Sequence, residues 1–259
     1  MAYQKIGVFG ATGRLGQELT RAFVEEGFDI VPFSRQKTTV AGIPTQEVGS
    51  LVGFDVIVCT VGVSGLNDQL SLIEKAKKDG VKRFVPSEYG VDHRASDLDF
   101  FKPKKQVFEA VKAARFPDGW TAIITGFFDA VIPAVASLST DSSVINVSGN
   151  GKTRYPFVFR HDLGRILAYT FKHPKEYKDV WLAIANEWLS GDDIAQIIQE
   201  ASGKNLHIKH IEADEKKAPV IYLLERNGGN VFDPAIQTKD IPISLVDLRA
   251  HIRNIYTSQ

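Results

Sequence analysis

The residues best suited to chemistry fall in three places, and the first is the turn Gly10-Ala11-Thr12-Gly13-Arg14-Leu15-Gly16. Glycines at this spacing wrap backbone around a phosphate. Gly10 permits a tight turn, Gly13 lets the main chain approach a pyrophosphate, and Gly16 lets a helix lie close to the preceding strand. The turn follows the strand-like run Ile6-Gly7-Val8-Phe9 and opens an amphipathic segment. The free N–H groups and positive dipole end of that helix would then face the phosphates. The bland alternative is a glycine-rich strand–helix connection that binds nothing.

The second place is the end of the next strand-like run, Phe33-Ser34-Arg35-Gln36-Lys37. A site for NADH places a carboxylate there to bond the ribose 2′-hydroxyl. None is present. Ser34, Arg35 and Lys37 offer a hydroxyl and cations instead, and a guanidinium suits a 2′-phosphate through charge-assisted, bidentate bonds. Arg14 could form the other jaw of the clamp. The expected cofactor is therefore NADPH/NADP⁺; the competing reading is a set of solvated surface cations.

The third place is Lys102-Pro103-Lys104-Lys105. Pro103 suits the first position of a helix and fixes its phase. Lys104 then shares a face with Val107, Phe108, Val111 and Ala114, whereas Lys105 lines up with Glu109 and Lys112. A desolvated ammonium titrates nearer the working range of a general acid or base. Many short-chain reductases pair such a lysine with a tyrosine four residues earlier, and no tyrosine here has that spacing. The competing reading of Lys104 is a snorkelling lysine at a helix start.

Weaker candidates flank these. Thr60, Val61 and Gly62 end an apolar run and would meet the adenosine half through backbone. Ser87, Glu88 and Tyr89 end the following run and would border the nicotinamide, with turn capping the alternative for Ser87. His93 and Arg94 lie in a loop suited to substrate contacts. Gly126, Phe127 and Phe128 would line an apolar substrate pocket or pack in the core. His207 and His210 are three apart in a strand-like run and so face opposite ways, which argues against a metal pair. In His161-Asp162 the aspartate reads as a helix cap. No metal site is expected.

The elements that position these residues alternate strand and helix, the pattern of a parallel sheet wound on both faces. Strands are expected near 6–9, 29–33, 55–61, 83–85 and 121–124, with a weak third strand between Val40 and Val48 and too little chain after it for a crossover helix. Helices are expected near 13–26, 67–78 and 103–114. An irregular connection or hairpin is expected over 137–152, a helix opening at Asp162, a strand over 180–185, a Ser190/Asp193 capping box and a last helix after Ser244. The fold class is thus α/β: a Rossmann-type doubly wound parallel sheet over 1–130, completed by return segments near 155–190, with a smaller substrate-binding lobe over 131–259. Lys+Arg and Asp+Glu balance at 31 each among 259 residues, without the basic excess that nucleic-acid binding favours. The single cysteine, Cys59, rules out an intrachain disulfide, as in a reducing compartment. The start of the chain lacks a signal-peptide pattern, and the apolar stretch from Gly126 to Leu138 is broken by Asp129 and Pro133. The expected location is the cytoplasm, with no membrane partner.

Gly10–Gly16, the segment Val81-Lys82-Arg83-Phe84-Val85-Pro86-Ser87-Glu88-Tyr89-Gly90, and Lys104 ahead of Val107 together resemble the isoflavone reductase and phenylcoumaran benzylic ether reductase family. That is the NmrA-like, atypical branch of the short-chain dehydrogenases. The resemblance is strongest over 5–125, includes Phe157 to Leu167, and fades after about 205. It implies NADPH-dependent hydride transfer to a small conjugated or aromatic substrate (C=C, C=O or quinone-methide type), with Lys104 as general acid or base. The chain is short for the family, and Phe101-Lys102-Pro103-Lys104 differs from its usual run. Two other functions compete: a non-catalytic NADP(H) sensor, which the missing tyrosine motivates, and an isomerase or cyclase that keeps the nucleotide as scaffold while Lys104 moves protons. Monomer and homodimer are equally compatible with the sequence.

Overall fold

Side chains along the short apolar runs alternate between two faces, and burial of both faces is what calls for a helix layer on each side of the sheet. The computed structural model describes residues 3–95, 99–139, 143–214, 216, 219–226, 236–237 and 241–257. In it β1 (Lys5–Phe9) leads through the glycine turn to α1 (Arg14–Glu25) and β2 (Asp29–Phe33). Then come β3 (Thr39–Val40), β4 (Ile43–Pro44), β5 (Val56–Cys59), α2 (Asp68–Lys78), β6 (Arg83–Val85), α3 (Lys102–Ala114) and β7 (Thr121–Ile124). The chain continues through β8 (Phe127–Phe128), α4 (Ile132–Val135), β9 (Ala136–Leu138), β10 (Val144–Ser148), β11 (Arg154–Val158) and α5 (Arg160–Lys172). It ends with β12 (Val180–Ala183), β13 (Glu187–Ser190), α6 (Gly191–Ser202), β14 (His207–Ile211), α7 (Pro219–Arg226), β15 (Ile236–Gln237) and α8 (Leu248–Thr257).

Two compact units divide the chain. The first comprises Met1–Ile124, Arg160–Ala183 and Pro234–Ile243; the second comprises Thr125–Phe159, Ile184–Asp233 and Ser244–Gln259. In the first, parallel strands run in the order β2-β1-β5-β6, and a second parallel set runs β7-β12-β15. A parallel bridge between Phe84 and Trp120 joins β6 to the start of β7. From β1 the chain steps outward to β2, then returns to the other side of β1 as β5. That reversal opens a crevice at the carboxyl ends of β1 and β5. All of β5 is buried. Ile57 and Cys59 pack with Leu72 and Ile73 of α2 and Val107 and Val111 of α3. Val56 and Val58 point the other way, where α1 and α5 pack together and bury Leu19, Ala22, Phe23, Leu163 and Ile166.

The expected third strand is reduced to an antiparallel hairpin of β3 and β4, followed by one parallel bridge from Gln46 to Phe33. The chain left between β4 and β5 is too short for a full crossover helix, as β4 ends at Pro44 and β5 begins at Val56. The helix expected to open at Asp162 begins at Arg160. Asp162 lies in its first turn, fully buried and 3.1 Å from Arg165.

In the second unit, β10 pairs antiparallel with β9 and parallel with β14, while β11 pairs antiparallel with β13 and parallel with β8. The stretch expected as an irregular connection or hairpin contains most of β9 and all of β10, which pair antiparallel. The capping box opens α6: Asp193 N–H donates to Ser190 Oγ at 3.0 Å, and Ser190 N–H donates to Asp193 Oδ2 at 2.9 Å. Helix α7 has no counterpart among the expected elements. Among the described residues no helix is long and apolar enough to cross a membrane.

Candidate nucleotide site and buried lysine

The turn after β1 is built by close approach of backbone. Gly10 takes φ +74°, in the left-handed region that favours glycine, and Gly13 N–H donates to Gly10 O at 2.9 Å. A Cβ at Gly16 would lie 2.2 Å from Gly10 O and 2.8 Å from Thr60 Oγ1, so no larger residue fits there without moving the turn. The Thr60 hydroxyl donates to Phe9 O at 2.7 Å and pins the end of β5 to the end of β1. Helix α1 starts at Arg14 with neither a side-chain cap nor an acidic residue in its first turn. Its first N–H groups therefore remain available to an anion.

Beside this turn lies a cavity of about 690 Å³, lined in part by Gly10, Thr12, Ser34, Arg35 and Val61. Ser34 Oγ accepts from Gln36 N–H at 3.0 Å and shapes the loop that carries Arg35. Arg14, Arg35 and Lys37 are all exposed; of the three, Arg35 lines the cavity. Leu15 is half-buried and Gly62 is exposed, just before a short 3₁₀ turn. Sequence reasoning missed the far wall, which includes Glu47, Val48, Asp68, Ser71, Leu72 and Lys75. The last four are spaced along one face of α2, a signal that the period of a helix could have supplied.

Lys104 stands in the first turns of α3, one turn ahead of the buried Val107 and Phe108. Its side chain is 12% exposed. The ammonium donates to Glu88 O at 2.8 Å and to Tyr89 O at 3.4 Å, and lies 3.9 Å from Glu88 Oε2. Burial pulls its pKa below the ordinary lysine value, while the carboxylates of Glu88 and Asp92 oppose that shift. Lys105 is half-buried, and Lys112 pairs with Glu109 at 2.9 Å. The sharp turn around the amine includes Gly90, whose φ is +137°.

The other sequence candidates divide by what they touch. Ser87 donates its hydroxyl to Val61 O at 2.8 Å, and its N–H donates to Gln69 Oε1 at 2.9 Å, so it ties two strand ends together. Gln69, buried on α2, was not anticipated. Tyr89 has a buried hydroxyl, and burial holds that phenol well above its usual pKa. His93 is buried, with Nδ1 2.8 Å from Glu88 Oε2, and Arg94 grips Asp92 through Nε at 2.8 Å. In the second unit, Gly126 lies against Pro156, Phe127 packs on Tyr155 and Phe157, and Phe128 is half-buried. On β14, His207 and His210 are both exposed, and His210 pairs with Asp192 at 2.7 Å.

A parallel sheet with a reversal of strand order, and a glycine turn at that reversal, defines a Rossmann-type α/β protein. The profile of the NmrA-like family matches residues 2–228, and the chain belongs to that family. Among its curated relatives is "Oxidoreductase aprR" of Aspergillus flavus, 24% identical over 244 residues that cover 86% of this chain and 82% of the relative. Another is "Probable pinoresinol-lariciresinol reductase 3" of Arabidopsis thaliana, 28% identical over 229 residues, 77% of this chain and 74% of the relative. The solved binary complex of leucoanthocyanidin reductase and NADPH from Vitis vinifera shares the fold. Its TM-score is 0.82 at 16% identity, over 99% of this chain and all of that one.

Proposed function

We propose that this protein is an NADPH-dependent oxidoreductase that reduces a small conjugated or aromatic molecule, with Lys104 as general acid or base. The observation that carries the reading is the Lys104 amine, which is buried yet held by main-chain carbonyls at the carboxyl end of β6. Relatives named as oxidoreductase and pinoresinol-lariciresinol reductase, and a shared fold with an NADPH complex, support it.

The residues present fit the cofactor. Gly10, Gly13 and Gly16, with Thr12, Arg14 and Leu15 between them, make a cradle that a Cβ at position 16 would fill. Arg35 would take the 2′-phosphate, with Ser34, Lys37 and Arg14 adding hydroxyl and charge around it. Thr60, Val61 and Gly62 would border the adenosine half. Ser87, Glu88 and Tyr89, with Lys104, would border the nicotinamide. When bound, NADPH supplies a hydride from C4 of its nicotinamide ring.

The rest of the chemistry belongs to the chain. An ammonium has three protons. At Lys104 the carbonyls of Glu88 and Tyr89 take two, leaving one to hydrogen-bond and protonate a substrate oxygen as charge develops there. The low exposure of the amine limits proton exchange with bulk water. We assign the nucleotide to the first unit and treat the second as the substrate-binding lobe, within which Phe127 packs on Tyr155 and Phe157, and Gly126 lies against Pro156. His93, buried against Glu88, takes no step on the substrate in this reading.

Turnover with NADPH deuterated at C4 tests the reaction class. Deuterium carried into a reduced product is the expected result. Binding of NADP⁺ and NADPH without turnover points to a sensor, and conversion without label points to an isomerase; either overturns the proposal.

A further inference from the structure

Glu88 and His93 form a buried pair that none of the steps above requires. The Glu88 side chain is 2% exposed and that of His93 3%. Glu88 Oε2 lies 2.8 Å from His93 Nδ1 and 3.9 Å from Lys104 Nζ, so one carboxylate faces both an imidazole and the ammonium. We propose that His93 and Glu88 are positioning residues for Lys104: the imidazole clamps the carboxylate, and the clamped carboxylate sets the protonation state of the amine. This inference rests on the reading of Lys104 as general acid or base.

The packing makes the clamp rigid. The His93 ring stands edge-on to Phe108 of α3 and to Trp181 of β12, at centroid distances of 5.9 and 5.6 Å. With the ring so confined, Nδ1 faces Glu88 Oε2 at 2.8 Å, and in the tautomer that carries its proton there it would hold one carboxylate rotamer in place. A buried carboxylate without such a donor is costly to keep ionised.

The other charged groups nearby are occupied elsewhere. Asp92, the second carboxylate felt by the amine, is held by Arg94 through Oδ1 at 2.8 Å and Oδ2 at 2.6 Å, and the Arg94 guanidinium lies 4.2 Å from the Trp181 ring. Lys102 pairs with Asp99 in solvent at 2.8 Å. Burial drives the Tyr89 phenol and the Cys59 thiol upward, which keeps both neutral. Glu88 is therefore the carboxylate placed to counter the desolvation of Lys104. The sign follows: a negative charge beside an ammonium favours the protonated form, so neutralising Glu88 lowers the midpoint of Lys104.

The test is a ¹⁵Nζ NMR titration of the full-length protein labelled in lysine, with the Lys104 signal identified by its loss in Lys104→Arg. In Glu88→Gln we expect the Lys104 midpoint to fall by about one pH unit or more. His93→Phe moves it in the same direction, and His93→Gln, which keeps an N–H donor, restores it toward the parent. An unchanged or raised midpoint in a natively folded Glu88→Gln overturns the proposal. Should that variant not fold, equal midpoints in His93→Phe and His93→Gln overturn it instead. No substrate is needed, so failure here is distinguishable from failure of the reductase reading. Intact turnover in Lys104→Met would sink the reductase role of Lys104 while leaving this titration readable.

Discussion

Thr60 and Gly16 meet across the strand reversal: a Cβ on Gly16 would stand 2.8 Å from the Thr60 hydroxyl, which itself donates to Phe9 O at 2.7 Å. Residues 44 positions apart thus share one small space, and that space fixes where the N-terminus of α1 sits against the sheet. The phosphate-binding reading of the turn depends on this closeness.

Gly16→Ala is therefore expected to push α1 away from the turn. Overpacking of this kind costs about 1–3 kcal/mol, visible in thermal unfolding, and calorimetry should show NADPH binding lost or severely weakened. Thr60→Val, which removes one hydrogen bond at nearly constant volume, should cost about 1 kcal/mol and weaken the nucleotide far less.

Arg35→Asp tests cofactor choice. Truncating one partner of a hydrogen-bonded charge pair costs about 2–5 kcal/mol, and placing a carboxylate there favours a ribose hydroxyl instead. NADPH affinity should fall by a factor of roughly 30 or more, with NADH little changed. Equal losses for the two nucleotides would contradict the clamp.

Lys104→Met should lower kcat by about 10²–10⁴ while calorimetry still detects NADPH. In the parent protein, burial places the lysine below its ordinary pKa. A rate that needs the ammonium is then complete at lower pH and lost as pH rises through that lowered midpoint. The alkaline limb should vanish in Lys104→Met.

Asp55 links stability to pH. Burial raises its pKa, but hydrogen bonds from Lys82 and from the N–H groups of Gln4 and Lys5, at 2.7, 2.7 and 3.0 Å, hold it below the ordinary carboxylate value. Its stabilisation is therefore present above the unfolded-state pKa and lost as pH falls through the lower folded-state value. Asp55→Asn should cost about 1–3 kcal/mol at neutral pH and flatten that acid limb in denaturant titrations. An unaltered acid limb would show that other carboxylates control it.

The family relationship, the alternation of strands and helices up to residue 124 apart from the reduced third strand, the glycine turn, the inward phase of Lys104 and the Ser190 capping box were legible in the chain itself. Apart from the family relationship, which rests on three separate segments, each depends on residues within a turn or two of one another: apolar periodicity, a proline at a helix start, glycines at fixed spacing. Such patterns act through local backbone geometry, which a sequence states directly.

What only the tertiary structure decided are relations between residues distant along the chain. Thr60 closing over Gly16, Gln69 gripping Ser87, α2 supplying a wall of the cavity, and Trp181 of β12 backing His93 all arise from how strands and helices pack. The Glu88–His93–Lys104 cluster likewise forms only when β6, α3 and the loop between them pack and bury its three side chains together. Periodicity shows which face of an element turns inward, but not which partner it meets there, since many apolar faces pack equally well until the whole chain is closed.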